Sequence, residues 1–312
     1  MLDLTKPAEL LANGGLVAFP TETVYGLGAD ATNPRAVARI YEAKGRPTFD
    51  PLIVHVFDVE ALAGITGELN ATAQLLAKHF WPGPMTLVLP KGPAVSHLVT
   101  SGLDTVAVRI PSHPVARELL EFCDVAVAAP SANSFGRISP TTAQHVRDDL
   151  GERVDWIVDG GPTTWGVEST IVDLSVETPT VLRHGALAIE DLRAVIGEVH
   201  DATETPDSPK APGQLPSHYA PRVPLRIFQP GDADEVLPTH AYLGYRSLPE
   251  GFAGTGEVLA ADGDLQTAAA NLFSAMHRLD RSGASLIWAE LVPAHGLGLA
   301  INDRLSRASK RD

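Results

Sequence analysis

Six polar clusters stand where apolar runs end, and their side chains suit the holding of anions better than covalent attack. The stretch Pro20–Gly28 (PTETVYGLG) offers hydroxyls at Thr21 and Thr23, a carboxylate at Glu22, and Gly26 and Gly28, where backbone can approach a ligand closely. Lys44-Gly45-Arg46-Pro47 follows a helical pattern. There Lys gives a point charge, and Arg a planar fork matched to phosphate or carboxylate. Its plainer reading is a helix C-cap with Lys44 complementing the dipole. His55 lies within LIVHVF, where a satisfied core or surface histidine is the plainer reading. Arg109 ends the run TVAVRIP, and a buried arginine there requires an anionic partner. Pro130-Ser131-Ala132-Asn133 leads into Ser139-Pro140-Thr141, a hydroxyl-bearing loop entering a helix N-terminus, which is a natural anion site or a plain cap. Gly166-Val-Glu168-Ser169-Thr170 precedes the apolar TIVD.

The familiar catalytic signatures are missing. No GxxxxGK[ST], GxSxG or HExxH occurs, and the 11 histidines lack metal-ligand spacing. Gly26-Leu-Gly28-Ala-Asp-Ala31 imitates a dinucleotide fingerprint, but PTETVY parts it from the strand and the next helix opens only at Pro34. The single cysteine, Cys123, sits in the apolar EFCDVAVAAP and reads as a buried structural thiol. A disulfide framework and a cysteine-rich metal site are thereby excluded.

These residues need a scaffold. The sequence predicts strands at Gly15–Pro20, Leu52–Phe57, Met85–Pro90, Thr105–Ile110, Val125–Ala129, Trp156–Asp159, Thr170–Leu174 and Thr180–Arg183. Helices are predicted at Pro34–Lys44, Ala71–Phe80, Pro114–Glu121, Pro140–Leu150 and Ile189–Ile196. Asn33 caps the first, with Pro34 at its first position and Gly45 after its last turn; Ser139 would cap the helix at Pro140. So many strands among fewer helices predict an α/β domain with a large mixed sheet. Residues 201–224 hold six prolines and read as an ordered or semi-extended linker. Beyond it, strands at Leu225–Phe228, Ala241–Tyr245 and Leu286–Leu291, with helices around Asp264–Arg281 and Leu297–Ser309, describe a smaller Rossmann-like layer. The expected organisation is thus 1–200, a linker at 201–224, and 225–312.

The 312 residues are 44% hydrophobic and 6% aromatic, so the cores are built from Leu, Val, Ile and Ala. Net charge is −14; residues 1–200 carry 14 basic and 24 acidic side chains, leaving −10 there. That argues against tight, sequence-independent nucleic-acid binding but permits a local cationic pocket. No apolar run approaches ~18 residues, and MLDLTKPAEL lacks the apolar core of a signal peptide. A cytoplasmic protein is expected.

In this order, the clusters resemble the YrdC-type domain of threonylcarbamoyl-adenylate synthases. The likeness rests on FPTETVYGLG (Phe19–Gly28), KGRP followed by PLIVH (Lys44–His55), WPGPMTLVL (Trp81–Leu89), VAVRIP (Val106–Pro111), PSAN with SPT (Pro130–Thr141), ESTIVD (Glu168–Asp173) and LRHG (Leu182–Gly185). PGQLPSHYAP (Pro212–Pro221) and GLGLAINDRL (Gly296–Leu305) resemble the family's two-domain form. The resemblance implies an open, twisted mixed sheet with a concave cavity. It also implies synthesis of threonylcarbamoyl-adenylate and pyrophosphate from L-threonine, bicarbonate and ATP, with magnesium accompanying the ATP. A partner transferase complex would then modify an adenosine beside the tRNA anticodon.

By position in the family's motifs, Thr23, His55, Arg109 and Ser169 would hold threonine, with Arg109 on its carboxylate. Lys44 and Arg46 would be the catalytic cations on the phosphates, joined by Ser131, Asn133 and Ser139. Asp50, Thr105, Arg183 and Tyr219 would complete the ATP site, with Tyr219 folded over it as part of a lid. Asp50 stands where the family often has Asn, and is either a metal contact or turned away from the phosphates. Pro216 replaces a lysine common before the HY pair, which weakens the lid's expected grip on pyrophosphate. Two rivals remain: a carbamoyl-adenylate-forming enzyme, as in hydrogenase-maturation proteins, and an RNA-binding module.

Overall fold

A computed structural model describes residues 2–202, 210–215 and 218–310. The strands of the first part are β1 (Val17–Pro20), β2 (Tyr25–Asp30), β3 (Ile53–His55), β4 (Met85–Pro90), β5 (Thr105–Arg109), β6 (Val127–Ala128), β7 (Trp156–Ile157), β8 (Thr170–Asp173), β9 (Thr180–Arg183) and β10 (His200–Asp201). They form one mixed sheet in the order β10-β9-β8-β4-β5-β3-β6-β2-β1-β7. Its helices are α1 (Thr5–Ala12), α2 (Pro34–Lys44), α3 (Ala71–Phe80), α4 (Pro114–Cys123), α5 (Ala143–Asp149) and α6 (Ile189–Ile196).

Helix α2 shows how directly local chemistry acts. The Asn33 side chain accepts from the amides of Arg35 and Ala36, Pro34 occupies the first turn, and Gly45 closes the helix at φ 62°. Such a cap contributes about 1 kcal/mol. Ala36, Val37, Ile40 and Tyr41 then face the sheet at helical spacing, in the core with Leu27, Val54 and Leu87.

Near the site the structure adds a strand where none was predicted and shortens a predicted helix. The segment from Tyr25 to Asp30 is strand β2, wholly buried and antiparallel to β1. Its glycines hid it. Gly28 is needed for packing, since a Cβ there would lie 2.8 Å from both Phe19 and Val127. The helix expected from Pro140 starts at Ala143 under a Thr142 cap. Residues before it are held by the sheet instead, with the amide of Tyr25 donating to the Pro140 carbonyl at 2.9 Å. Cys123 is buried with a free thiol, as its setting suggested.

The second part contains β11 (Leu225–Ile227), β12 (Ala241–Gly244), β13 (Thr255–Val258) and β14 (Ile287–Ala289), all parallel, in the order β11-β14-β12-β13. Helices α7 (Leu265–Asp280) and α8 (Leu297–Ser309) cover the sheet. Leu272, Phe273, Met276 and Leu279 of α7 join Ile301 and Leu305 of α8 in a core of their own. Val24, Ile138 and Val167 of the first part are packed into that same core. No helix of the described residues is long and apolar enough to cross a membrane.

Candidate active site

Parallel strands β3 and β5 end side by side, with His55 and Arg109 as direct partners across the ladder. Partnered residues point to the same face. Both are 3% exposed. They share a cavity with Thr23 from the β1–β2 turn, Arg46 after α2, Ser131 after β6, Glu168 and Ser169 before β8, Arg183 ending β9, and His218 and Tyr219. The cavity holds about 50 Å³.

Arg109 is tied on several sides. It forms an ion pair with Glu22 at 2.8 Å, donates to Thr23 Oγ1 at 2.9 Å, and donates to the Gly83 carbonyl at 3.2 Å. Burial pushes the Glu22 carboxyl upward, but the charge and hydrogen bond of Arg109 outweigh it and hold Glu22 below its ordinary range. His55 lies beside this guanidinium. Burial, then repulsion by Arg109, lowers it to about 3, so the ring is neutral at pH 7. Among the described residues its Nδ1 has no hydrogen-bond partner.

Arg183 donates to the Ser169 carbonyl at 2.8 Å, to Ser169 Oγ at 3.1 Å, and to the Pro212 carbonyl at 3.1 Å. Ser169 also shares a 2.7 Å hydrogen bond with Thr86. Arg46 donates to the carbonyls of Asp50 and Pro51 at 3.0 and 2.8 Å and pairs with the Asp50 carboxylate at 2.9 Å. Tyr219 is 1% exposed, and burial pushes its hydroxyl up to about 12.

Five of the residues expected at the site stand behind or away from the cavity lining. Lys44 donates to the carbonyls of Ser131 and Asn133, so it shapes the loop between them. Burial, then repulsion from Arg46, pushes its ammonium well below its usual value. Asn133 donates to the carbonyls of Ser134 and Arg137, at 2.9 Å each. Ser139 caps no helix; its hydroxyl donates to Glu168 at 2.5 Å. Asp50 is fully buried as the partner of Arg46. Thr105 opens β5 opposite Pro90, at the other end of the strand from Arg109. Pro216 lies outside the described residues.

Sequence reasoning missed three participants: Glu22 as the partner of Arg109, Glu168 as a lining carboxylate, and Arg304 of α8, which donates to Glu168 at 2.9 Å. Arg304 was detectable. It falls on the apolar stripe with Ile301, Leu305 and Ala308, where a charge needs a buried partner.

Buried guanidinium groups that meet in one cavity at the ends of β3 and β5 define an α/β protein with a site suited to anionic groups. Residues 9–185 match the Sua5, YciO and YrdC family described as "Telomere recombination", and residues 187–310 match that described as "Threonylcarbamoyl-AMP synthase, C-terminal domain". The chain belongs to the threonylcarbamoyl-AMP synthase family. It is 45% identical over 315 residues to the threonylcarbamoyl-AMP synthase of Pyrococcus abyssi, covering 97% of this chain and 92% of that one. The Bacillus subtilis enzyme of the same name is 43% identical over 323 residues, covering 98% and 92%. The crystal structure of P. abyssi Sua5 complexed with L-threonine superposes with a TM-score of 0.91 at 42% identity, covering 98% and 94% of the two chains.

Proposed function

We propose that this enzyme condenses L-threonine, bicarbonate and ATP into L-threonylcarbamoyl-AMP, releasing pyrophosphate, and that the product feeds threonylcarbamoyladenosine modification of tRNA. The observation that carries this reading is the convergence of three buried arginines, Arg46, Arg109 and Arg183, on one cavity. The only acid among the described lining residues, Glu168, is already engaged by Ser139 and Arg304. Such a site suits a carboxylate and a polyphosphate together.

Arg109 binds the threonine carboxylate, while Thr23 and Ser169 supply hydroxyls and neutral His55 accepts at Nδ1. Arg46 and Arg183 face the nucleotide, with Ser131 beside them. Lys44, Asn133, Ser139 and Asp50 support that wall from behind. Bicarbonate takes up a proton and loses water to give CO₂, which the threonine amine attacks; the nitrogen loses a proton and the amine becomes an N-carboxylate. A carboxylate oxygen attacks the α-phosphorus, the bond to the bridging oxygen breaks, and pyrophosphate leaves. The attacking atom belongs to the substrate, so positioning and electrostatics do the catalysis.

The buried carboxylates do not fit a resident metal. Glu22, Asp50 and Glu168 are each paired with an arginine, and the described residues contain no cluster of three potential ligands. Magnesium therefore enters with ATP, as part of the substrate, held by phosphates and water.

A 50 Å³ cavity is far below the ~300 Å³ of an ordinary small-molecule site, so ATP enters when the linker lifts. Pro212, Gly213, His218 and Tyr219 form that cover. We assign catalysis to residues 1–200, the cover to the described residues of the linker at 201–224, and a supporting role to 225–312. The protein works in the cytoplasm and hands its product to a tRNA-modifying transferase complex without binding nucleic acid tightly itself.

The test is pyrophosphate release from ATP, magnesium and bicarbonate, with and without L-threonine, with serine as control. Release that requires both threonine and bicarbonate is expected. Release driven by carbamoyl phosphate without threonine would replace this reading with the carbamoyl-adenylate one.

A further inference from the structure

The second core reaches the cavity through one side chain. Arg304 of α8 is fully buried. Its Nε donates to Glu168 Oε2 at 2.9 Å, Nη1 donates to Asp303 at 2.8 Å, and the guanidinium carbon lies 5.1 Å from the centre of the Tyr219 ring. Glu168 and Tyr219 line the cavity; Arg304 stands directly behind both.

Each contact holds something that would otherwise move. Glu168 immediately precedes Ser169, and its other oxygen accepts from Ser139. The loop carrying it is seated on α7 at Gly166, whose φ is 67° and where a Cβ would lie 2.4 Å from the Ala269 carbonyl. Tyr219 has a φ of 63°, left-handed backbone that a bulky residue keeps only where its surroundings dictate it. Those surroundings are His218 at 4.2 Å and Phe273 at 5.7 Å between ring centres, with Arg304 at the ring.

Burying an ion pair does not by itself stabilise a fold relative to well-packed apolar side chains. What it adds is direction. A guanidinium fixes a carboxylate's orientation, and its plane fixes an aromatic ring.

We propose that Arg304 is a positioning residue for adenylate synthesis: it orients Glu168 and pins Tyr219 over the cavity, so the second domain completes the site. This rests on the proposed synthase reaction. It gives residues 225–312 a task in the reaction itself, because the arginine comes from α8.

The test uses the full chain with Arg304→Met and Arg304→Lys. In Arg304→Met, kcat is expected to fall about a hundredfold, as for a site misplaced by an ångström, with the ATP KM little changed. Arg304→Lys restores the charge without the planar fork and recovers part of kcat. A second readout needs no activity. The Ala220 amide donates to the Gly136 carbonyl at 2.7 Å, just past Tyr219, and its hydrogen exchange reports whether the cover is pinned. We expect Ala220 to exchange at least tenfold faster in Arg304→Met, with the buried Leu272 of α7 still protected.

Unchanged kcat and unchanged Ala220 exchange in folded variants would overturn the proposal, as would equal loosening of Leu272. If Arg304→Met does not fold, Arg304→Lys is judged on the same two readouts. A wild type without threonine-dependent pyrophosphate release would overturn the functional reading alone, and the Ala220 exchange would still decide the role of Arg304.

Discussion

Glu22 and Arg109 face each other at 2.8 Å, with side chains 5% and 4% exposed, so the cation expected to hold the substrate's carboxylate already carries one of the protein's own. Glu22 fixes the direction of the guanidinium. The pair also makes Arg109 a structural residue, which governs how it must be tested.

Arg109→Ala is expected to raise the threonine KM tenfold or more while the ATP KM changes little, since a charge-assisted hydrogen bond contributes ~1.5–3 kcal/mol. It also strands a buried carboxylate, at a cost of ~3–5 kcal/mol in stability. Adding Glu22→Gln is expected to restore the urea midpoint but not threonine binding. Equal rises in both KM values would reject the carboxylate role.

Arg46→Ala is expected to damage ATP use selectively, visible in initial rates at fixed threonine. An unchanged ATP KM would return the KGRP cluster to a helix ending and nothing more. The loss of stability from unpairing Asp50 is a separate matter, read by thermal unfolding.

His55 makes stability depend on pH with a definite sign. Its folded-state value is lowered from 6.5 to about 3, so the unfolded chain takes the proton first. The contribution is whole above pH 6.5 and is lost as pH falls from 6.5 towards 3, by up to about 1.4 kcal/mol per unit. Denaturant unfolding of wild type and His55→Gln should show this extra slope only in the wild type. Parallel curves would mean that the histidine is protonated in the folded protein.

Tyr219→Ala is expected to shorten the lifetime of bound L-threonylcarbamoyl-AMP, because water reaches the mixed anhydride once the ring is gone. Quenched-flow sampling of adenylate against free AMP measures it directly. A product lifetime equal to wild type would show that the ring does not seal the cavity.

Gly166→Ala should cost more than about 1 kcal/mol, since φ 67° disfavours any side chain and the added methyl meets the Ala269 and Ala270 carbonyls of α7 at 2.4 and 2.5 Å. The loss should appear as weaker docking of α7 on the loops of the first part that carry Val24, Ile138 and Val167, detected by limited proteolysis. A melting curve identical to wild type would contradict the close packing described for that loop.

The sequence by itself determined the elements with strong local signals. Asn33, Pro34 and Gly45 set both ends of α2, because caps act within a few residues of themselves. The apolar runs at Met85–Pro90 and Thr180–Arg183 set β4 and β9 to the residue. The resemblance to the family's motifs implied one site for Arg109, His55, Ser169 and Tyr219, and the structure brings them together in one cavity. Signals that depend on distant partners were not legible. Strand β2 is rich in glycine and becomes a strand through its neighbours β1 and β6. Ser139 had the form of a cap, yet its hydroxyl meets a carboxylate 29 residues away. Lys44 and Asp50 carried the right charges, but their positions behind the wall follow from which carbonyls and guanidinium close around them. The reach of Arg304 across 136 residues to Glu168 could not be read from either segment, because a buried charge finds its partner only when two separately formed cores meet.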